Sequence, residues 1–385
     1  MKTNQTMQKI ASAAYQELEL WENRANPLGE EERLDAAAWP LCRWYEAKKR
    51  DLPWRKDTNP YHIWISEIML QQTRVEAVKP YYARFMEQLP DVSALADCPD
   101  EQLMKLWEGL GYYSRARNLK KAAQVCCENY EGKLPGTWAE LLALPGIGSY
   151  TAGAIASIAY GEQKPAVDGN VLRVAHRLLA CADDILSQKV KKALEEKLEA
   201  SMKRTGVAPG TFNQALMELG ACVCIPNGEP LCSDCPWERI CLAHQQNRTG
   251  EIPWKQPKKP RKIENRTVLI VTDGEYLLLR QRPQTGLLAG LYEPLQTEGT
   301  LDASEAERLW ESIVPVPAQI DAAPDGKHIF SHIEWHMKGW KLSVPHLLAY
   351  REELEKQGYL TVSRQEIREQ FAIPKAFAAW KEFWE

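Results

Sequence analysis

Residues 137–160 read TWAELLALPGIGSYTAGAIASIAY, and this stretch decides the fold. Thr137-Trp138-Ala139-Glu140 spells a capping box, so a helix opens there and runs through WAELLAL. It stops at Leu144-Pro145-Gly146-Ile147-Gly148, and a second helix begins with Ser149-Tyr150-Thr151. Gly146 and Gly148 in a two-helix turn let backbone N–H groups approach an anion with no Cβ in the way. The second helix points its positive end in the same direction. An ordinary helical hairpin explains the Gly and Pro but not the small-residue run AGAIASIA, which lets helices pack closely. A hairpin that grips a phosphate backbone without reading its sequence explains both.

On the C-terminal side follow Pro165-Ala166-Val167-Asp168-Gly169-Asn170-Val171 and the amphipathic stretch LRVAHRLLA. Asp168 sits just before a helix start, where the dipole favours its ionised form. Taken alone, that is a helix cap. On the N-terminal side Asn59-Pro60 starts a helix with an N-cap and a first-turn proline. That helix runs through Ile63, Trp64 and Met69 and carries Glu67. Thr73-Arg74-Val75-Glu76 reads as a capping box for the next helix. Leu70-Gln71-Gln72 then falls at the junction, where an apolar tip and two amides project together. A glutamate on a helix is usually solvated, so Glu67 gains meaning only from its company.

The company includes Cys224, Cys232, Cys235 and Cys241, spaced C-x7-C-x2-C-x5-C. Four zinc ligands usually come as two separated C-x-x-C pairs, so one compressed run with a single C-x-x-C points to an iron–sulfur cluster. Disulfides would need an oxidising compartment, and no secretory apolar segment precedes the run. Cys222 could compete for the first ligand position. Cys224 is preferred because the shorter loop needs less closure entropy.

The chain of 385 residues is long enough for two or three domains, and its net charge of −4 neither favours nor excludes a polyanionic partner. Its first residues, MKTNQTMQKIASAAYQELELWENR, hold no apolar stretch able to span a bilayer or act as a signal peptide, and read as an extension. From about Glu31 to Ala243 the period is helical. The stretch QQNRTGEIPWKQPKKPRKIENR is then basic and proline-rich, either a plain tether or one that follows a nucleic-acid backbone. After it the period changes. Val268–Val271 and Tyr276–Leu279 flank Asp273-Gly274 as a hairpin, a further strand is expected over His328–His336, and Pro374–Trp384 reads as a helix. The expected divisions are an extension over 1–30, a helical domain over 31–246, a linker over 247–264 and an α+β domain over 265–385. The fold class is therefore mainly α with a C-terminal α+β domain, in a cytoplasmic protein without membrane segments.

At this point the residues resemble a known family. LPGIG, the acid in VDGNV and the cysteine run, in that order, resemble the helix-hairpin-helix DNA glycosylases of the endonuclease III superfamily. Within it, SEIMLQQT (Ser66–Thr73) and GLGYYSRARN (Gly109–Asn118) are similar to the MutY family of adenine DNA glycosylases. GLLAGLYEPL (Gly286–Leu295) and Phe330-Ser331-His332 resemble that family's Nudix-like 8-oxoguanine recognition domain. The C-terminal domain lacks the R-E-x-x-E-E core of an active Nudix box, so no pyrophosphate hydrolysis is expected. The first cysteine gap is seven residues where the family commonly has six.

The resemblance implies a monomeric base-excision enzyme, nucleoid-associated if bacterial. It would bind double-stranded DNA and remove adenine mispaired with 8-oxoguanine or guanine from a flipped nucleotide. Glu67 would protonate adenine N7, and Asp168 would face the positive charge at C1′. Asn170 would position a phosphate or the nucleophile, and Tyr150 would hydrogen-bond near Asp168. Leu70 would pack near the extruded base, while Gln72 and Tyr112 wedge into the gap. Gly146 and Gly148 would grip the backbone, Phe330, Ser331 and His332 would contact 8-oxoguanine, and the four cysteines would hold a [4Fe–4S] cluster. Glycosylases with lyase activity carry a lysine two residues after the hairpin's second glycine; here that residue is Tyr150, so a monofunctional enzyme is implied. The competing readings are a bifunctional glycosylase/lyase on oxidised pyrimidines, a non-catalytic damage sensor and a Nudix hydrolase tethered to a DNA-binding module.

Overall fold

A computed structural model describes residues 28–257 and 260–385. Residues 1–27 of the extension, and Lys258 and Lys259 of the basic stretch, lie outside the described residues. The described residues divide into two compact units, 28–83, 91–93 and 121–257 in one, and 84–90, 94–120 and 260–385 in the other.

The first unit opens with α1 (Glu30–Lys48) and continues with α2 (Pro60–Leu70), where the Asn59 side chain accepts from the Tyr61 N–H at 2.9 Å and Pro60 takes the first helical position. Next comes α3 (Val75–Gln88). The expected capping box at Thr73 does not open it. The helix begins at Val75, so the cap position falls on Arg74, and the Thr73 hydroxyl donates to the Gln71 carbonyl within the preceding turn. The chain then passes through α4 (Val92–Asp97), α5 (Asp100–Leu106) and α6 (Ser114–Asn129), of which residues 94–120 belong to the second unit, to the hairpin helices α7 (Trp138–Leu142) and α8 (Ser149–Tyr160). Thr137 caps α7 as its residue type predicts, accepting from the Glu140 N–H. The unit closes with α9 (Gly169–Leu179), α10 (Gln188–Thr205), α11 (Pro209–Cys222) and the short α12 (Leu242–Gln245).

Small residues set the spacing of these helices. A Cβ on Gly153 would stand 2.1 Å from the Pro165 carbonyl oxygen, so the AGAIASIA run brings α8 directly onto the irregular segment that leads to Asp168. Apolar residues of α1, α9, α10 and α11 form the core, with Leu41, Val171, Leu198 and Leu219 fully enclosed. The irregular cysteine segment is held to α1 by Trp237, which donates to the Ala37 carbonyl at 2.8 Å, and by Arg33, which donates to the Ile240 carbonyl. The start of the basic stretch is anchored too: Ile252 is buried and its carbonyl accepts from Arg177 at 2.8 Å.

The second unit is built on one six-stranded sheet, order β4-β5-β1-β3-β2-β6, of β1 (Lys262–Thr272), β2 (Tyr276–Gln281), β3 (Tyr292–Glu298), β4 (Gln319–Ile329), β5 (Ile333–Ser343) and β6 (Tyr359–Ser363). β1 and β5 run parallel and the other pairs antiparallel. Val268 and Ile270 face one core, with Trp335, Phe377 and Trp380; Leu269 and Val271 face another, with Trp310 of α13 (Ala303–Ile313). A strand buried on both faces reads as a continuous apolar run, which is what VLIV is. The β1–β2 hairpin turns at Asp273-Gly274 as expected. The single strand expected over His328–His336 is instead the end of β4, a turn at Phe330-Ser331-His332 and the start of β5. That turn carries no Gly or Asn, so the alternation reads as unbroken. The expected C-terminal helix is a 3-10 helix, Lys375–Phe383, with Pro374 at its cap and a kink at Phe377.

Residues 94–120 group with this sheet rather than with the other helices. Lys105 donates to the carbonyls of Ile367 (3.0 Å) and Phe371 (3.2 Å), Glu108 accepts from the Ile373 N–H (2.8 Å), and Arg117 donates to the Ala289 carbonyl (2.8 Å).

Candidate active site

Glu67 lies on α2, in a run where Tyr61 and every residue from Ile63 to Met69 are buried. Its own exposure is 7%, which removes it from the class of solvated helix glutamates. The Tyr150 hydroxyl, from the second residue of α8, donates to Glu67 Oε2 and also lies 3.1 Å from Met217 Sδ on α11. The resemblance implies a Tyr150 hydrogen bond near Asp168; the phenol donates to Glu67, and the Asp168 charge also reaches it. Burial pushes the Glu67 carboxyl up to about 7; the Tyr150 hydrogen bond opposes the rise and the Asp168 charge adds to it.

Asp168 is the N-cap of α9. Its Oδ1 accepts from the N–H groups of Asn170 (2.9 Å) and Val171 (2.8 Å), and its Oδ2 accepts from Asn170 Nδ2 at 2.7 Å. Arg173 holds the Asn170 amide from the other side at 2.9 Å. Burial raises the Asp168 carboxyl, while these donors and the Arg173 charge pull the other way. Asn170 is thus locked onto Asp168.

Both carboxyl groups line a cleft of about 1070 Å³, together with Tyr150, Asn170, Leu70 and Gln72. Gln72 sits in the left-handed region, φ 59°, at the α2–α3 junction. Gly146 and Gly148 are not part of this wall. Gly146 has φ 75°, a conformation that calls for glycine, and a Cβ on Gly148 would meet nothing within 4 Å, which leaves the backbone there open to approach.

Sequence reasoning missed a further buried carboxylate in the same cleft. Glu218, 1% exposed, accepts from Arg50 Nε (2.7 Å), Arg50 Nη2 (2.8 Å), the Arg50 N–H (3.0 Å) and Arg55 Nη2 (2.8 Å). The two guanidinium groups hold its carboxyl down at about 2, against the effect of burial. The available signal was a lone acid in the apolar helix NQALMELGAC.

On the far side of α11, Cys224, Cys232, Cys235 and Cys241 line one small pocket with Arg177 and Trp237. Arg177 Nη1 lies 3.3 Å from Cys224 Sγ, and Cys241 Sγ is 3.4 Å from the Arg177 carbonyl. Burial and the neighbouring thiols raise Cys235 to about 12 and push Cys232 and Cys241 up as well. Cys222 lies instead beside Glu218 and Arg50. Among the described residues no group of three His, Cys, Asp or Glu side chains is arranged to hold a single metal ion. Four thiols around a common void fit a polynuclear cluster better than one ion.

Residues 65–200 match the HhH-GPD superfamily of base excision DNA repair proteins, and residues 266–381 match the NUDIX domain. The adenine DNA glycosylase of Rattus norvegicus is 36% identical over 363 residues, covering 79% of this chain and 70% of that protein. That of Mus musculus is 37% identical with the same coverage, and that of Schizosaccharomyces pombe is 35% identical over 76% of this chain and 78% of its own length. The chain belongs to the adenine DNA glycosylase family.

As an adenine DNA glycosylase of base excision repair, it pairs a helix-hairpin-helix domain with a Nudix-like one. In the Nudix-like unit the Phe330-Ser331-His332 turn is braced from below. Phe330 packs edge-on against His328 (4.5 Å) and Trp335 (4.9 Å), and its carbonyl accepts from Arg261 at 3.0 Å. The Arg266 guanidinium lies 4.3 Å from the Trp335 ring on β5. Ser331 and His332 are exposed. In the same unit the Tyr112 hydroxyl reaches Ser331 Oγ at 3.3 Å. Tyr112 is held at φ 48° by Arg115, which lies over its ring (5.7 Å) and donates to the Leu110 and Gly111 carbonyls at 3.0 Å. Among the described residues no helix is long and apolar enough to cross a membrane.

Proposed function

We propose that the enzyme removes adenine mispaired with 8-oxoguanine or guanine from double-stranded DNA, as a cytoplasmic monomer, by acid-assisted hydrolysis of the N-glycosidic bond. The observation that carries this reading is the pairing of two differently supported carboxyl groups in one open cleft. Glu67, with an apolar surround and a pKa of about 7, can hold a proton at neutral pH and deliver it to adenine N7. Asp168, fed by three hydrogen-bond donors, is the better anion to face an oxocarbenium-like centre at C1′. The target adenosine must leave the stack to reach them. Gln72 at the cleft rim, and Tyr112, would fill the space it vacates, while Leu70 packs near the base.

No amine stands at Tyr150 to form a Schiff base, so the enzyme acts as a glycosylase without lyase activity. Gly146 and Gly148 hold the DNA backbone. Ser331, flanked by Phe330 and His332, reads 8-oxoguanine, since a hydroxyl both donates and accepts. Cys224, Cys232, Cys235 and Cys241 would hold a [4Fe–4S] cluster that staples the C-terminal loop of the unit and takes no part in hydrolysis.

The test is cleavage of duplexes holding one adenine opposite 8-oxoguanine, guanine or thymine, with and without hot alkali. Cleavage only after alkali, strongest opposite 8-oxoguanine, is the expected result. Cleavage without alkali would mean a lyase, and release opposite thymine at equal rate would remove the mispair reading.

A further inference from the structure

The Tyr150 hydroxyl has two hydrogen-bonding neighbours in the cleft, the Glu67 carboxylate and the Met217 thioether, the latter at 3.1 Å, and the Asp168 charge reaches it as well. A phenol has one proton to give and lone pairs to accept with. While Glu67 is ionised, that proton belongs to the carboxylate. Once Glu67 carries a proton on the oxygen facing Tyr150, the carboxyl O–H donates to the phenol oxygen. The phenol proton must then turn elsewhere, and the Met217 sulfur stands at hydrogen-bonding distance as a weak acceptor.

We propose that Met217 is a positioning residue for the acid, accepting the Tyr150 O–H when Glu67 carries its proton on the oxygen facing Tyr150. The proposal rests on the reading of Glu67 as the general acid. The proton balance closes. The Glu67 O–H turns from the phenol to adenine N7 and is given up there, the Tyr150 O–H swings back from sulfur to the carboxylate left behind, and the phenol neither gains nor loses a proton. An apolar wall would need no heteroatom at this place, and leucine would fill it with nearly the same volume.

Several charges bear on Glu67. Asp168 faces it from the start of α9 and Arg55 from the 3-10 turn Pro53–Arg55, while Glu218 on α11 is neutralised by Arg50 and Arg55. Met217→Leu changes none of these, so a shifted titration would report the thioether itself.

The experiment is single-turnover adenine release by the full chain at saturating duplex, from pH 5 to 9, for the wild type, Met217→Leu and Met217→Gln. Loss of the sulfur acceptor should move the alkaline limb of the rate to lower pH by about half a unit, the size of one weak hydrogen bond. Glutamine, whose amide oxygen accepts more strongly, should restore the limb or move it upward. A merely structural wall would change affinity for the duplex and leave the limb in place. A leucine limb superimposed on the wild type would overturn the proposal. If the leucine variant does not fold, glutamine decides alone, and an unmoved or lowered limb overturns it. A wild-type rate with no limb near pH 7 would overturn the acid assignment itself, which is a different failure from a limb that is present and insensitive to residue 217.

Discussion

Glu67 is a residue whose chemistry and whose cost to the fold have the same origin. Its folded pKa, about 7, lies above the ordinary 4.5, so the protonated acid is fully present well below 7 and is lost as pH rises through that value. The excision rate should fall accordingly on the alkaline side, and Glu67→Gln should lower it by 10²-fold or more, roughly the usual contribution of a general acid. The same sign governs stability. Between about 4.5 and 7 the folded state holds a proton that the unfolded chain releases, so stability declines as pH rises across this window. Glu67→Gln should remove that decline and melt higher than the wild type at pH 8, which thermal denaturation at pH 5 and pH 8 would show. Glu218 behaves oppositely. Its pKa of about 2 adds stability that is present above about 4.5 and lost as pH falls towards 2. Replacing it with Gln, which breaks the contacts of a buried carboxylate with two guanidinium groups, should cost about 3 kcal/mol in urea unfolding at pH 7. The sequence made Glu67 and Asp168 legible through their neighbours in the chain. It left Glu218 hidden because its partners, Arg50 and Arg55, are more than 160 residues away.

At the scale of elements, the hairpin around Gly146 and the helix ends with a local cause were legible. Asn59, Thr137 and Asp168 cap helices because a short acceptor side chain must satisfy the first free N–H groups nearby. Two local patterns misled. Thr73 has the residues of a capping box, yet its hydroxyl is engaged in the preceding turn. Phe330-Ser331-His332 has the alternation of a strand, yet it is a tight turn whose shape depends on Trp335 and Arg261 from elsewhere in the chain. The glycine in AGAIASIA makes a prediction of its own. Gly153→Ala would drive a methyl into the Pro165 carbonyl, a backbone atom that cannot turn away. It should cost about 3 kcal/mol of stability and displace Asp168, so Tm and the excision rate should fall together.

At the scale of the whole molecule, each unit carries its own chemistry. The four thiols of the first unit should bind iron as a set. Cys224→Ser should lose iron and its visible absorption, whereas Cys222→Ser, beside Glu218 and away from the cysteine pocket, should keep both. In the second unit Ser331→Ala should reduce the preference for 8-oxoguanine over guanine by about 10-fold or more without lowering the rate opposite guanine. The grouping of residues 94–120 with the sheet was not legible, because it depends on side chains such as Lys105 reaching backbone carbonyls some 260 residues away.

The contact between Tyr112 and Ser331 has a consequence for search. Each hydroxyl already has a partner in the other at 3.3 Å. A base that takes the Tyr112 position at Ser331 exchanges one hydrogen bond for another, whereas one that uses the remaining lone pairs of Ser331 adds a bond. A base offering nothing better leaves the pair closed. On the proposed reading of Ser331, this pair would set a threshold for response, and a scanning molecule could pass over ordinary sequence without these groups being held by it.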